Sequence, residues 1–136
     1  MRNSGKEFLE ERINLIESNY RDITFHIEVS ATVLHVNKDS FTRIIDNLLS
    51  NAAKYNIKNG QVFIRYSDTM LEIQDTGKGI KNPKRVFERF YKEQERGIGI
   101  GLHIVKKLCE ELGIDITLQS EVGKGTIFQL NLKNII

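Results

Sequence analysis

The sequence has one cysteine, one proline and no tryptophan among its 136 residues. The lone Cys109 excludes an internal disulfide framework and suits a reducing compartment. Pro83 is the only proline, and there is no internal repeat and no low-complexity tract. No stretch approaches the roughly 18 apolar residues of a spanning helix, and no secretory leader is recognisable. A soluble, cytoplasmic domain is therefore expected, with any membrane anchor of a parent protein outside this sequence. A formal charge of +2 and a pI of about 8.7 argue against a polycationic nucleic-acid binder. They leave room for a local basic patch facing an anionic ligand.

What is present suits one globular unit. Hydrophobic residues at 40% beside 28% charged residues suffice for a single core. The length fits one domain over residues 6–136, behind a polar linker or remnant at 1–5.

The helical spacing of Phe8, Leu9, Ile13 and Ile16 predicts a first helix from Lys6 to near Tyr20. Phe25, Ile27 and Val29 alternate as in a half-buried strand, and Val33 to Val36 predicts a second short one. Asp39 or Ser40 is expected to cap the next helix, with Phe41, Ile44, Ile45, Leu48, Leu49 and Ala52 as its apolar face. After the Asn59-Gly60 turn, Gln61–Tyr66 and Met70–Gln74 read as a hairpin. Asp75 to Ile98 holds few strand signals and many charges. A helix then runs from about Gly99 to Leu112, stopped by Gly113. Ile114–Ser120 and Thr126–Lys133 are further strands, joined across Gly123-Lys124-Gly125. The expected fold is α/β: a two-layer sandwich of a mixed, mostly antiparallel sheet with about three helices on one face.

Several stretches carry chemistry. On the helix from Ser40, Arg43, Asn47, Ser50, Asn51 and Lys54 cluster opposite the apolar stripe. Asn47 and Asn51 stand one turn apart, so their amides project side by side. Amide oxygens suit a hard cation such as Mg²⁺, shared with phosphates and waters, and Lys54 suits a phosphate. A plain solvated face is the competing reading, although asparagine is a poor helix former. Asp75 closes a strand in phase with Leu71 and Ile73, so its carboxylate should point inward, where it needs donors. An adenine amine supplies them in one reading, with Gly77 and Gly79 admitting a flat ring close to the backbone. In the other reading, Asp-Thr-Gly is an ordinary surface turn.

Gly97, Gly99 and Gly101 alternate with Ile98 and Ile100 just before a helix. Such a backbone can wrap an anion at the positive helix end. A flexible hinge is the alternative, but it does not explain the interleaved apolar residues. Because no Gly-Lys-Ser/Thr and no Gly-x-Gly-x-x-Gly occurs here, the P-loop and dinucleotide-binding readings fall. Val86 to Lys92 is either a docking segment, with Phe87 and Phe90 on the core and Arg89 or Lys92 near phosphate, or a short amphipathic helix. Lys106, Lys107, Glu110 and Glu111 read as a solvated helix face with i,i+4 pairs.

The order of these pieces is more specific than any one of them. Asn47 to Tyr55 resembles the N box of sensor histidine kinases, Asp75 to Ile80 their G1 box, and Val86 to Tyr91 their F box. Gly97 to Leu102 resembles G2, and Gly123 to Thr126 the short glycine motif near the end. The resemblance covers about residues 6 to 133. It implies the Bergerat ATP-binding fold, with Asn51 as the Mg²⁺ ligand beside Asn47, and Lys54 and Tyr55 flanking phosphate and nucleotide. It further implies Asp75 at adenine, Gly77 and Gly79 shaping that pocket, Gly99 and Gly101 against the phosphates, and Thr126 near the adenine end. Ile80, Phe90, Lys92, Gly97 and Leu102 complete the expected nucleotide-binding set, and Asn47, Asn51 and Lys54 the catalytic one.

Three departures refine the resemblance. ATP-hydrolysing relatives carry Glu one turn before the metal-binding Asn, where this chain has Asn47, and a neutral amide cannot act as general base. Phosphoryl transfer to an external nucleophile is thus expected; an ATPase, or a degenerate module kept for docking, is the alternative. His26, His35 and His103 are the only histidines and none has a phosphoacceptor setting. The acceptor histidine is expected on a separate dimerisation domain of a homodimeric parent, with a response regulator downstream; the isolated domain is expected to be monomeric. Only Lys92 to Arg96 separates Tyr91 from Gly97, which implies a short lid.

Overall fold

The computed structural model describes residues 5–30, 32–88 and 101–136. Helix α1 spans Gly5–Glu17, strand β1 Thr24–Val29 and helix α2 Lys38–Lys54. Strands β2 (Gln61–Ser67) and β3 (Met70–Asp75) form the expected hairpin, turning on Asp68 and Thr69 at φ 48° and 68°. A 3₁₀ turn at Pro83–Arg85 precedes helix α3 (Leu102–Leu112) and strands β4 (Asp115–Glu121) and β5 (Gly125–Asn131). The strands form one sheet in the order β1-β2-β3-β5-β4; β1 and β2 are parallel and the other pairs antiparallel.

Alternation decides which residues enter the core. Val62, Ile64, Leu71, Ile73, Phe128, Leu130 and Ile116 share one cluster with the apolar stripes of the helices. Ile44, Ile45, Leu48 and Leu49 of α2 are 0% exposed, so the helix that carries the asparagines is also the central core element. The result is the expected two-layer α/β sandwich with a mixed sheet. The opposite sheet face is polar: His26 stacks on Phe63 with centroids 4.8 Å apart, and Arg65 bonds Gln74 at 2.9 Å. Cys109 is fully buried, and burial pushes its thiol up to about 12, so it packs as a small apolar group. Among the described residues no helix is long and apolar enough to cross a membrane.

Some sequence expectations shift. Val33–Val36 is not a strand; only Val33 makes a bridge, while buried Leu34 and Val36 reach the core from an irregular segment. His35 therefore lies outside any strand, and its N–H donates to the Ile135 carbonyl at 2.6 Å. Alternation reports which way side chains face, and here no neighbouring strand supplies a ladder. Asn37, rather than Asp39 or Ser40, caps α2: its backbone is extended and its Oδ1 accepts the Ser40 N–H at 2.9 Å. Helix α3 begins at Leu102, later than the sequence predicts, because Gly101 is left-handed with φ 83°.

Helix α1 is pinned to α2 by a forked bond, Arg12 Nε to Asp46 Oδ1 at 2.8 Å and Nη2 to Oδ2 at 2.7 Å. The Asp46 partner holds the guanidinium pKa above its ordinary value. Lysine cannot reproduce the fork. Arg12→Lys should lower unfolding free energy by about 1–2 kcal/mol in urea, and Asp46→Asn should add little to it. Full additivity of the two losses would contradict the pairing.

Candidate functional site

The apolar stripe of α2 fixes the direction of its opposite face, and the end of β3 and the start of β5 share a pocket with Asn51. One pocket forms there, lined by Asn51, Tyr55, Asp75, Gly79, Ile80, Leu102, Thr126 and Phe128. All but Phe128 belong to the set anticipated from sequence. Phe128 was not anticipated; its signal is the strand phase it shares with Thr126, two residues before it.

Asp75 faces inward, as its phase with Leu71 and Ile73 requires. The backbone N–H groups of Gly77 and Thr126 both donate to its Oδ1, at 2.8 and 3.2 Å. Its donors among the described residues are therefore backbone groups, and Oδ2 takes neither bond. Burial pushes the carboxyl up to about 6, against the two N–H bonds, which pull it down.

The glycines after Asp75 sit where side chains do not fit. A Cβ on Gly77 would stand 2.7 Å from the Tyr55 carbonyl oxygen, and Gly79, at φ 78°, lies against the Glu121 carbonyl. Side chains outside the anticipated set tie this turn down. Asn56 Nδ2 donates to the Gln61 carbonyl at 3.0 Å and its Oδ1 accepts from Thr76 Oγ1 at 3.0 Å. Ser120 Oγ accepts the Ile80 N–H at 2.7 Å. Asparagine and serine in turns and strands are common, so neither signalled a role in the sequence.

The asparagine face of α2 divides. Asn51 reaches the pocket, and its Nδ2 is buried with no hydrogen-bond partner among the described residues. Asn47 lies instead under Gly101, where an added Cβ would come within 2.7 Å of Asn47 Nδ2. Together with Thr42, Arg43, Asp46 and Ser50 it lines a shallow surface groove. Lys54 is exposed, with Nζ 5.4 Å from the centre of the Tyr55 ring, and does not line the pocket. Phe87 docks as anticipated, edge-on to Phe128 at 6.3 Å, with Lys106 Nζ 5.8 Å from its ring. Phe90, Lys92, Gly97 and Gly99 lie outside the described residues.

The pocket offers apolar walls from Ile80, Leu102 and Phe128, one carboxylate from Asp75, and the Asn51 amide, whose Nδ2 has no partner among the described residues. Such a pocket fits a flat heterocycle bearing a hydrogen-bond donor.

A family described as histidine kinase-, DNA gyrase B-, and HSP90-like ATPase matches residues 36–135. Sensor protein SrrB of Staphylococcus aureus is 37% identical over 106 residues, 69% of this chain. That match spans only 18% of the relative's length. Among solved structures, the mycobacterial sensor histidine kinase MprB is similar at a TM-score of 0.84 and 26% identity, covering 96% of this chain and 94% of that one. The nucleotide-free catalytic domain of histidine kinase ThkA gives 0.80 at 22% identity over 96% and 92% of the two chains, a likeness of fold alone.

The raised Asp75 value has a consequence for stability. Because the folded pKa of about 6 lies above the ordinary 3.8, the folded chain is favoured by the protonated group below about pH 3.8. That advantage is lost as pH rises through about 6. Asp75→Asn keeps an oxygen for the two N–H groups and never ionises. Its stability relative to the parent should rise by on the order of 2 kcal/mol between about pH 4 and pH 7. Urea unfolding at both values tests this; a difference that does not change with pH would refute it.

Proposed function

Since the chain belongs to the family of histidine kinase-, DNA gyrase B- and HSP90-like ATPases and is the ATP-binding domain of a sensor histidine kinase, we propose that it binds Mg²⁺·ATP and presents the γ-phosphoryl group to a histidine on a separate dimerisation domain. The observation that carries this reading is the single pocket shared by Asn51, Tyr55, Asp75, Gly79, Ile80, Leu102 and Thr126. Asp75 accepts from the adenine amine, and Ile80, Leu102 and Phe128 enclose the ring. Gly77 and Gly79 let the ring approach the backbone, while Tyr55 and Lys54 flank the sugar and phosphates.

The residues present fit a magnesium ion. The Asn51 amide, whose buried Nδ2 has no partner among the described residues, can turn its oxygen to a cation shared with phosphates. When bound, Mg²⁺ neutralises charge on the phosphates. The chain's part is positioning, which is most of what phosphoryl transfer asks of a protein. Asn47 sits beside Gly101 at the phosphate end; Gly97, Gly99, Phe90 and Lys92 belong to the same expected set.

Transfer is favoured over hydrolysis. Asn47 cannot take a proton from water, and the neighbouring carboxylate, Asp46, is held by Arg12. The acceptor histidine belongs to a domain of the parent beyond this chain, and a response regulator receives the phosphoryl group from it. The parent is read as a homodimer with this domain in the cytoplasm.

A fluorescent ATP analogue titrated into the chain should give saturable binding that tightens with Mg²⁺. Asn51→Ala should remove the Mg²⁺ effect, and Asp75→Asn should weaken binding tenfold or more, roughly the loss of a charge-assisted hydrogen bond. Phosphate release by the chain alone should be negligible. Absence of saturable binding would favour a docking module, and rapid phosphate release an ATPase.

A further inference from the structure

We propose that Ser120 sets how this site reads a purine base. By giving the Thr126 hydroxyl a choice of donor or acceptor roles, it leaves Asp75 Oδ2 alone to choose between a 6-amino and a 6-oxo ring. The inference rests on the adenine reading of Asp75 given above.

The sheet register pairs Asp75 with Thr126 and Thr126 with Ser120, so the three stand in one cross-strand row. Their polarities differ in kind. Asp75 is fixed: both backbone N–H bonds fall on Oδ1, which leaves Oδ2 as an acceptor for an occupant. A hydroxyl has one proton and two lone pairs, so its polarity depends on its neighbours. Ser120 Oγ accepts the Ile80 N–H at 2.7 Å, which uses one lone pair. Its proton has two possible acceptors, the Gly125 carbonyl at 3.1 Å and Thr126 Oγ1 at 2.8 Å.

If Ser120 donates to Gly125, Thr126 donates to Ser120 and turns only lone pairs to the pocket. If Ser120 donates to Thr126, the Thr126 proton is free for the pocket. Thr126 is 5% exposed and lines the pocket beside Asp75, so either state meets an occupant. Adenine offers an amine donor beside a ring-nitrogen acceptor; hypoxanthine offers a carbonyl acceptor beside an N–H donor. The Ser120–Thr126 pair satisfies the second position of both bases, and Asp75 Oδ2 satisfies the first position of adenine only.

Changing one atom should therefore exchange the preference. In Asp75→Asn the two N–H groups still demand the oxygen at the Oδ1 position, so the amide NH₂ takes the place of Oδ2. Ser120 then matters, because it takes the Thr126 proton while the Thr126 oxygen accepts from the hypoxanthine N–H; without it that proton has lost its acceptor.

Binding of ADP and of inosine diphosphate to the intact chain, measured by calorimetry, tests this. The parent should prefer ADP by tenfold or more, and Asp75→Asn should prefer inosine diphosphate. Adding Ser120→Ala to Asp75→Asn should cut that new preference by about three- to tenfold. Thr126→Val in the same background should do likewise while leaving the Ile80–Ser120 bond intact, which covers a Ser120→Ala variant that fails to fold. A merely structural role for Ser120 would weaken both nucleotides equally. An unchanged ratio in either double variant, or continued ADP preference in Asp75→Asn, overturns the inference while ADP binding by the parent leaves the functional reading intact. No ADP binding by the parent overturns both.

Discussion

A carboxylate at the end of a strand and largely removed from water is costly unless the backbone comes to meet it. Much of the pocket end of this fold does so. The Gly77 and Thr126 N–H groups converge on Asp75 Oδ1 from two separate segments, one just after β3 and one at the start of β5. That convergence needs a side-chain-free turn at Gly77, where a Cβ would meet both the Tyr55 carbonyl and Asp75 itself. It also needs the β3–β5 register that sets Asp75 opposite Thr126. Desolvation nonetheless outweighs the two bonds and pushes the Asp75 carboxyl up to about 6.

Helix α2 supplies the other side of the site. Its apolar residues are wholly buried in the core, so the helix cannot rotate without disrupting the packing, and Asn51 is held at the pocket as a result. Arg12 grips Asp46 on the same helix and adds a second constraint on its position. An amide left unsatisfied in such a rigid setting is a polar group held ready for a ligand.

Much of this was legible in the sequence, because period and phase are local properties. The α2 stripe, the β2–β3 hairpin and the inward phase of Asp75 follow from spacing alone. The order of the boxes brought most of the pocket residues together before any contact was known. What stayed hidden depends on partners remote in sequence. Val33–Val36 alternates like a strand but makes only the single bridge at Val33 rather than a ladder, and Asn37 caps α2 because of its backbone angles. Phe128 is an ordinary apolar strand residue until the register sets it beside the pocket. Ser120 is an ordinary strand serine until Ile80 and Thr126 arrive from elsewhere. Lys54 shows the converse: it follows Asn51 by three residues on the same helix, yet its flexible stem lays the ammonium over Tyr55 rather than into the pocket.

Adenine nucleotide entry between Asp75 and Phe128 is tested most directly by a nuclear magnetic resonance titration of the amide groups with ADP and Mg²⁺. Saturable one-to-one shifts are expected at Gly77, Ile80 and Thr126, with Phe63 and Gln129 on the opposite sheet face unmoved. Shifts confined to the opposite face, or none at the three pocket amides at saturating nucleotide, would contradict it.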